Sequence, residues 1–215
     1  GGNEERWIRF HRLARRKIGI VTEEFDQPAT VILTGAAAGS LLGNIRASRD
    51  IEFAVQPARR DARTWERLAA AIERTMQQVG IEVNYAEDID RWSSITLLDY
   101  RRHTTAYRQF GALQVRILDP IYWSIGKLAR YLALDIHDVV AVLKRHGVPL
   151  SRALAVWGRA LRSSPKSAAL FQIEAESGGL LRLLRRTLGP TSDQIGLTAI
   201  WSGLGLPLPG SLPFW

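Results

Sequence analysis

Apolar residues fall in short unbroken runs in one part of this chain and in helical stripes in another. TVILT from Thr30 and IEFAV from Ile51 are runs of strand length, rich in β-branched side chains, and IEVNY from Ile81 is a third. The first leads directly into GAAAGSLL, which reads as a short helix of small residues. Asp61 opens a longer helix through Met76 to Val79, and Gly80 closes it at the C′ position. In residues 86–110, AEDIDRW reads as a helical turn, while TTAYRQFGALQVRIL leaves two readings open: a hairpin turning at Gly111, or a helix followed by a strand.

From Asp119-Pro120 onward the stripes take over. PIYWSIGKLARYL, DIHDVVAVLKRH ended by Gly147, a segment after Pro149 running to Arg162, and another after Pro165 all carry helical spacing. At the other end, EERWIRFHRLARRK places Arg6, Arg9, Arg12 and Arg16 on one side of a helix and Trp7, Phe10 and Ala14 on another. The expected organisation is an N-terminal amphipathic helix and linker (1–27), an α/β core (28–118), a helical region (119–189) and an apolar Pro/Gly-rich tail (190–215). The fold class is α/β (α+β): a small mixed sheet flanked by helices, then a helical C-terminal part.

Composition changes this picture in three ways. The 215 residues suffice for a self-supporting core, and the absence of cysteine excludes disulfides and thiolate metal sites, which suits a reducing, cytoplasmic setting. The formal charge of +8 is almost entirely arginine, since lysine occurs only at Lys17, Lys127, Lys144 and Lys166. Such a surplus fits nucleic acid, tRNA included, and equally fits ordinary solvated faces. After Asp193 no charged residue follows, but Pro207, Pro209 and Pro213 argue against a membrane-spanning helix. The tail is expected to pack on the body, or to serve a protein partner or a second copy of the chain in a homo-oligomer.

The chemistry concentrates in residues 34–55. Asp50 and Glu52 stand at i and i+2 of a strand, so both carboxylates project from one face. That pattern presents oxygen ligands to hard cations, Mg²⁺ or Mn²⁺, which can polarise a phosphoryl group and activate its attacker. Glu82 on the next strand is the candidate third carboxylate, with Asn84 on the same face as the alternative. Gly35 and Ala36 follow a strand and begin a helix, where bare backbone N–H groups can face the phosphates of a nucleoside triphosphate. Arg46 and Ser48 can add a guanidinium and a hydroxyl.

VILTG, Gly35-Ala36, thirteen intervening residues and then Asp50-Ile51-Glu52-Phe53 resemble the signature of the polymerase-β-like nucleotidyltransferase superfamily. The pattern of Ala38, Arg46, Ser48 and Asp50 is similar to AbiEii-type toxin nucleotidyltransferases and their uncharacterised relatives. In those proteins a helix with a lysine is followed by an Asp-x-x-Asp helix, and Lys127, Asp135 and Asp138 match these positions. The resemblance covers about residues 28–147. It departs at Ala36, where a second Gly or a Ser is usual, and at Glu52, where the toxin branch more often has Asp.

The resemblance implies a Mg²⁺-dependent enzyme that moves a nucleoside monophosphate from a triphosphate to RNA or a protein hydroxyl. It also implies a toxin paired with an antitoxin protein or a phage-defence partner. In that reading Asp50, Glu52 and Glu82 hold metal, Lys127 contacts phosphate and Asp138 holds Lys127 or a ribose. The alternative is a catalytically degenerate relative that binds nucleic acid or a partner protein. Read from the residues alone, Lys127 is a snorkelling surface lysine, Asp135 a helix cap, and Trp92, Trp123 and Trp157 core.

Overall fold

The computed structural model describes Arg12, Arg16, Val21 and residues 25–43, 50–89, 95–97, 99–129 and 132–165. The C-terminal tail, the helix expected after Pro165 and most of the N-terminal helix therefore lie outside the described residues. Arg12 and Arg16, which are described, are helical and exposed.

The chain is mixed α/β. Strands β1 (Ala29–Thr34), β2 (Asp50–Pro57), β3 (Glu82–Ala86), β4 (Thr104–Phe110) and β5 (Leu113–Leu118) form one sheet in the order β3-β2-β1-β5-β4. The β1/β2 and β4/β5 pairs are antiparallel, while β1/β5 and β2/β3 are parallel. Helix α1 (Gly35–Leu41) joins β1 to β2, and α2 (Ala62–Val79) is the crossover between parallel β2 and β3. The ambiguous stretch resolves as the hairpin: β4 and β5 turn at Gly111, whose φ of 51° suits glycine. A register shift between Ala106 and Arg108 bulges β4, which lies at the sheet edge.

Local chemistry accounts for α2. Asp61 Oδ1 accepts the Thr64 N–H at 2.8 Å and Oδ2 accepts the Thr64 hydroxyl at 2.9 Å, so the first turn is capped from within. Gly80, at φ 66°, ends the helix with its N–H on the Met76 carbonyl. Thr64, Leu68, Ala71, Ile72 and Thr75 are its buried stripe. Trp65 tilts against Tyr85, which stacks on Phe53, so α2 covers the sheet face that carries Ile51, Phe53 and Val55.

Helices α3 (Pro120–Leu128), α4 (Ala133–Arg145) and α5 (Leu150–Ser163) follow. Trp123 and Trp157 are buried, and the Trp157 indole donates to Ser124 Oγ at 2.9 Å. The chain divides into two compact units. One comprises Gly1–Arg91 with Tyr100–Asp119, and the other Trp92–Asp99 with Pro120–Trp215. Within the second, the Thr96 N–H donates to Ser164 Oγ at 2.8 Å, and Ile95 and Leu97 are buried. Among the described residues, no helix is long and apolar enough to cross a membrane.

Candidate functional site

β2 begins at Asp50 itself, and the two-residue period sends Asp50 and Glu52 to one face while Ile51, Phe53 and Val55 enter the core beneath α2. Register decides what shares that face. Thr34 of β1 lies opposite Glu52, Glu82 of β3 opposite Asp50, and Asn84 opposite Glu52. Both carboxylates are partly exposed. The acidic pair therefore sits where β1 ends, α1 begins and β2 starts.

The turn is built around this pair. Gly35 has φ +57°, a left-handed conformation that side chains resist, and a Cβ added there would overlap Glu52 Oε2 and lie 2.7 Å from Glu52 Cδ. The backbone requires glycine here, and a side chain in its place would have to displace the Glu52 carboxyl end. Ala36, the next residue, is helical and partly exposed, so its methyl group is accommodated. Arg46 and Ser48 lie outside the described residues.

On β3 the two candidates behave differently. Glu82 is exposed on the edge strand in register with Asp50, whereas the Asn84 amide donates to Asp50 Oδ2 at 3.0 Å. Asn84 is thus the side chain tied to the acidic pair by a hydrogen bond. Among the described residues, no three acidic or histidine side chains converge as a ready-made metal cage. The donor set of Asp50, Glu52 and the neighbouring amide consists of hard oxygen ligands, which fits a Mg²⁺-like ion completed by water and phosphate rather than one enclosed by protein. Further along this face, Arg116 is held by β4: its guanidinium donates to Thr104 Oγ1 at 2.6 Å and to the Thr104 carbonyl at 2.9 Å.

Lys127, Asp135 and Asp138 belong to the other unit and form a cluster there. Lys127 is buried at 4% exposure, so the surface-lysine expectation is corrected. Its ammonium donates to Asp135 Oδ1 at 3.0 Å, stands 3.8 Å from Asp138 Oδ2 and lies 5.8 Å from the centre of the Trp123 ring. Asp135 does not cap α4; Leu132 holds the N-cap position, and Asp135 is a buried first-turn acid. Periodicity missed this because α3 is buried almost all round, from Ile121 to Ser124 as well as at Ile125, Lys127 and Leu128. A helix whose one exposed position is a glycine gives a lysine no wet face to mark.

Set against known protein families, curated proteins and solved structures, the chain has no match.

Proposed function

We propose that the sheet unit is the catalytic core of a metal-dependent nucleotidyltransferase, with a nucleotidyltransferase-like sheet. It would transfer a nucleoside monophosphate from a triphosphate to a hydroxyl of RNA, tRNA among them, or of a protein. The observation that carries this reading is the contact between Gly35 and Glu52. A left-handed glycine pressed against the second carboxylate of an acid pair gathers the turn and both acids at one end of one sheet face.

In this reading Asp50 and Glu52 hold Mg²⁺ or Mn²⁺, with Asn84 orienting Asp50 and Glu82 within reach of the same face. When bound, such ions neutralise phosphate charge and make a coordinated hydroxyl easier to deprotonate. The acceptor oxygen forms a bond to the α-phosphorus as the bond from that phosphorus to the bridging oxygen breaks. Pyrophosphate leaves, and the hydroxyl proton passes to a carboxylate or to water. Backbone N–H groups at Gly35 and Ala36, with Arg46 and Ser48, orient the phosphates. Lys127 and Asp138 contribute by holding the helical unit together.

One observation favours a second reading, a degenerate relative that binds without catalysing: an amide, Asn84, bonds to Asp50 where a third acid would complete the metal set. Calorimetry of nucleoside triphosphate binding, with and without Mg²⁺, separates the two when run on wild type and Asp50→Asn alongside transfer of labelled nucleotide to total tRNA or to protein. The enzyme reading requires Mg²⁺-dependent binding and transfer, both lost in Asp50→Asn. Equal affinity in all four combinations, with no transfer, leaves the degenerate reading. The resemblance to toxins adds a cellular test, in which induced wild type arrests growth, a co-encoded antitoxin relieves the arrest, and Asp50→Asn is harmless.

A further inference from the structure

The charges on the outer surface of α2 are sorted. With 100° per residue, Arg63, Arg67 and Arg74 fall within about 40° of one another on the helix, and Glu66 and Glu73 lie together to one side of them. All five are exposed. Arg59 and Arg60, also exposed, immediately precede the helix start, and Arg63 to Arg74 alone span about 16 Å at ~1.5 Å per residue.

The row is arranged against the helix's own interest. The first turn of α2 contains no acidic residue, although a helix N-terminus favours negative charge, and three arginines crowd that end beside the single Asp61 cap. Arg63 and Arg67 form a like-charge i, i+4 pair, which weakens a helix. Arg67 is paired with Asp26 at 3.1 Å, Arg74 is also engaged, and Arg59 attracts the Asp61 carboxylate through space, but among the described residues no ion pair within 4 Å engages Arg60 or Arg63.

We infer that this row is a docking surface for the phosphodiester backbone of a nucleic acid strand. Its length suits a polymer rather than a single anion, and guanidinium groups bind phosphate oxygens in pairs. The segregated glutamates bound the row on one side and would repel a misplaced strand. The surface is separate from the acidic pair: α2 covers the opposite face of the sheet, and Arg59 leaves β2 at the far end, roughly 20 Å of strand from Glu52. A nucleotide bound at Asp50 and Glu52 does not reach it, so the inference stands or falls independently of the proposed activity.

The test measures anisotropy of fluorescent 20-nucleotide RNA and DNA, single- and double-stranded, titrated with the full chain between 50 and 200 mM salt. The three proteins are wild type, Arg59→Glu/Arg60→Glu/Arg63→Glu, and the charge-matched control Lys144→Glu/Arg145→Glu/Arg159→Glu from the helical unit. Binding is expected to weaken at least tenfold in the first variant and less than threefold in the control. The salt slope should fall by about two to three in the first variant, at ~0.7–0.9 per lost phosphate contact. The same variant should stay folded at the assay temperature, because removing positive charge from a helix N-terminus offsets the lost attraction between Arg59 and the Asp61 cap; should it fail to fold, Arg→Gln at the three positions replaces it. The RNA and DNA arms identify which strand is preferred. Equal loss in the two variants reduces the effect to net charge and overturns the inference. So does the absence of binding at 50 mM salt, or binding to phosphatidylserine vesicles without binding to any oligonucleotide.

Discussion

Gly35 shows how a single residue couples backbone and site. An alanine there meets Glu52 at its carboxyl end, which can turn aside, so the stability cost comes mainly from the left-handed φ, about 1–2 kcal/mol. Urea unfolding should show that loss in Gly35→Ala, and the same loss to within ~0.5 kcal/mol when Glu52 is already alanine. A markedly smaller loss in the Glu52→Ala background would mean that Glu52 is pinned rather than free to turn. On the enzyme reading, Gly35→Ala also abolishes Mg²⁺-dependent nucleotide binding, since the Glu52 carboxyl end is pushed away from its place beside the turn. At this scale the sequence was informative where a residue's placement follows from strand alternation, as for Asp50 and Glu52. It was silent where a role depends on cross-strand register. Asn84 and Glu82 lie on one face, and only the pairing of β3 with β2 gives Asn84 the hydrogen bond to Asp50.

Among the elements, α2 was the most legible because its signals are local: a cap at Asp61, a buried stripe and a terminal glycine. The cap has a pH signature. Hydrogen bonds from the Thr64 backbone and then its hydroxyl hold the Asp61 carboxyl below the usual range. A carboxyl with a lowered folded pKa adds stability that is present above its unfolded value, roughly 3.9, and is lost as pH falls through the folded value. Asp61→Ala should therefore lower the melting temperature at pH 7, and the gap from wild type should close on acidification below about pH 4. A gap independent of pH would mean that the ionised carboxylate is not what caps the helix. The β4/β5 hairpin was less legible, since TTAYRQF satisfies a helical and an extended pattern alike, and its outward positions are exposed along an edge. Pairing with β5, a tertiary event, decides between them.

At the scale of the whole molecule, the change of pattern at Asp119-Pro120 coincides with a change of unit, but residues 95–97 do not follow the linear order. They precede β4 and β5 in sequence, and Thr96 bonds to Ser164 at the end of α5. Ile95 and Leu97 carry no periodicity over so few positions, so nothing local announces that they are buried. The arginine surplus behaves similarly. Its sign and size were plain from composition, and its sorting into a row on α2 requires knowing which side of that helix is wet.

The burial of Lys127 gives the protein a native chemical reporter. The chain has four lysines, Lys17, Lys127, Lys144 and Lys166, of which Lys144 is exposed and Lys127 is paired with Asp135 in the interior. An amine-reactive reagent can modify Lys127 only during an opening of the helical unit, so its acylation rate, followed by mass spectrometry of the peptide that carries it, measures the free energy of that opening. Lys144 in the same spectrum supplies the rate of an unprotected amine. Asp135→Asn, which takes away the charge paired with the ammonium, should speed labelling at Lys127 by tenfold or more while Lys144 stays unchanged. Equal acceleration at both would report general unfolding instead. Since the reagent needs neither a nucleotide nor an acceptor, any ligand of the helical unit can be detected by the slowing of this one reaction, before its identity is known.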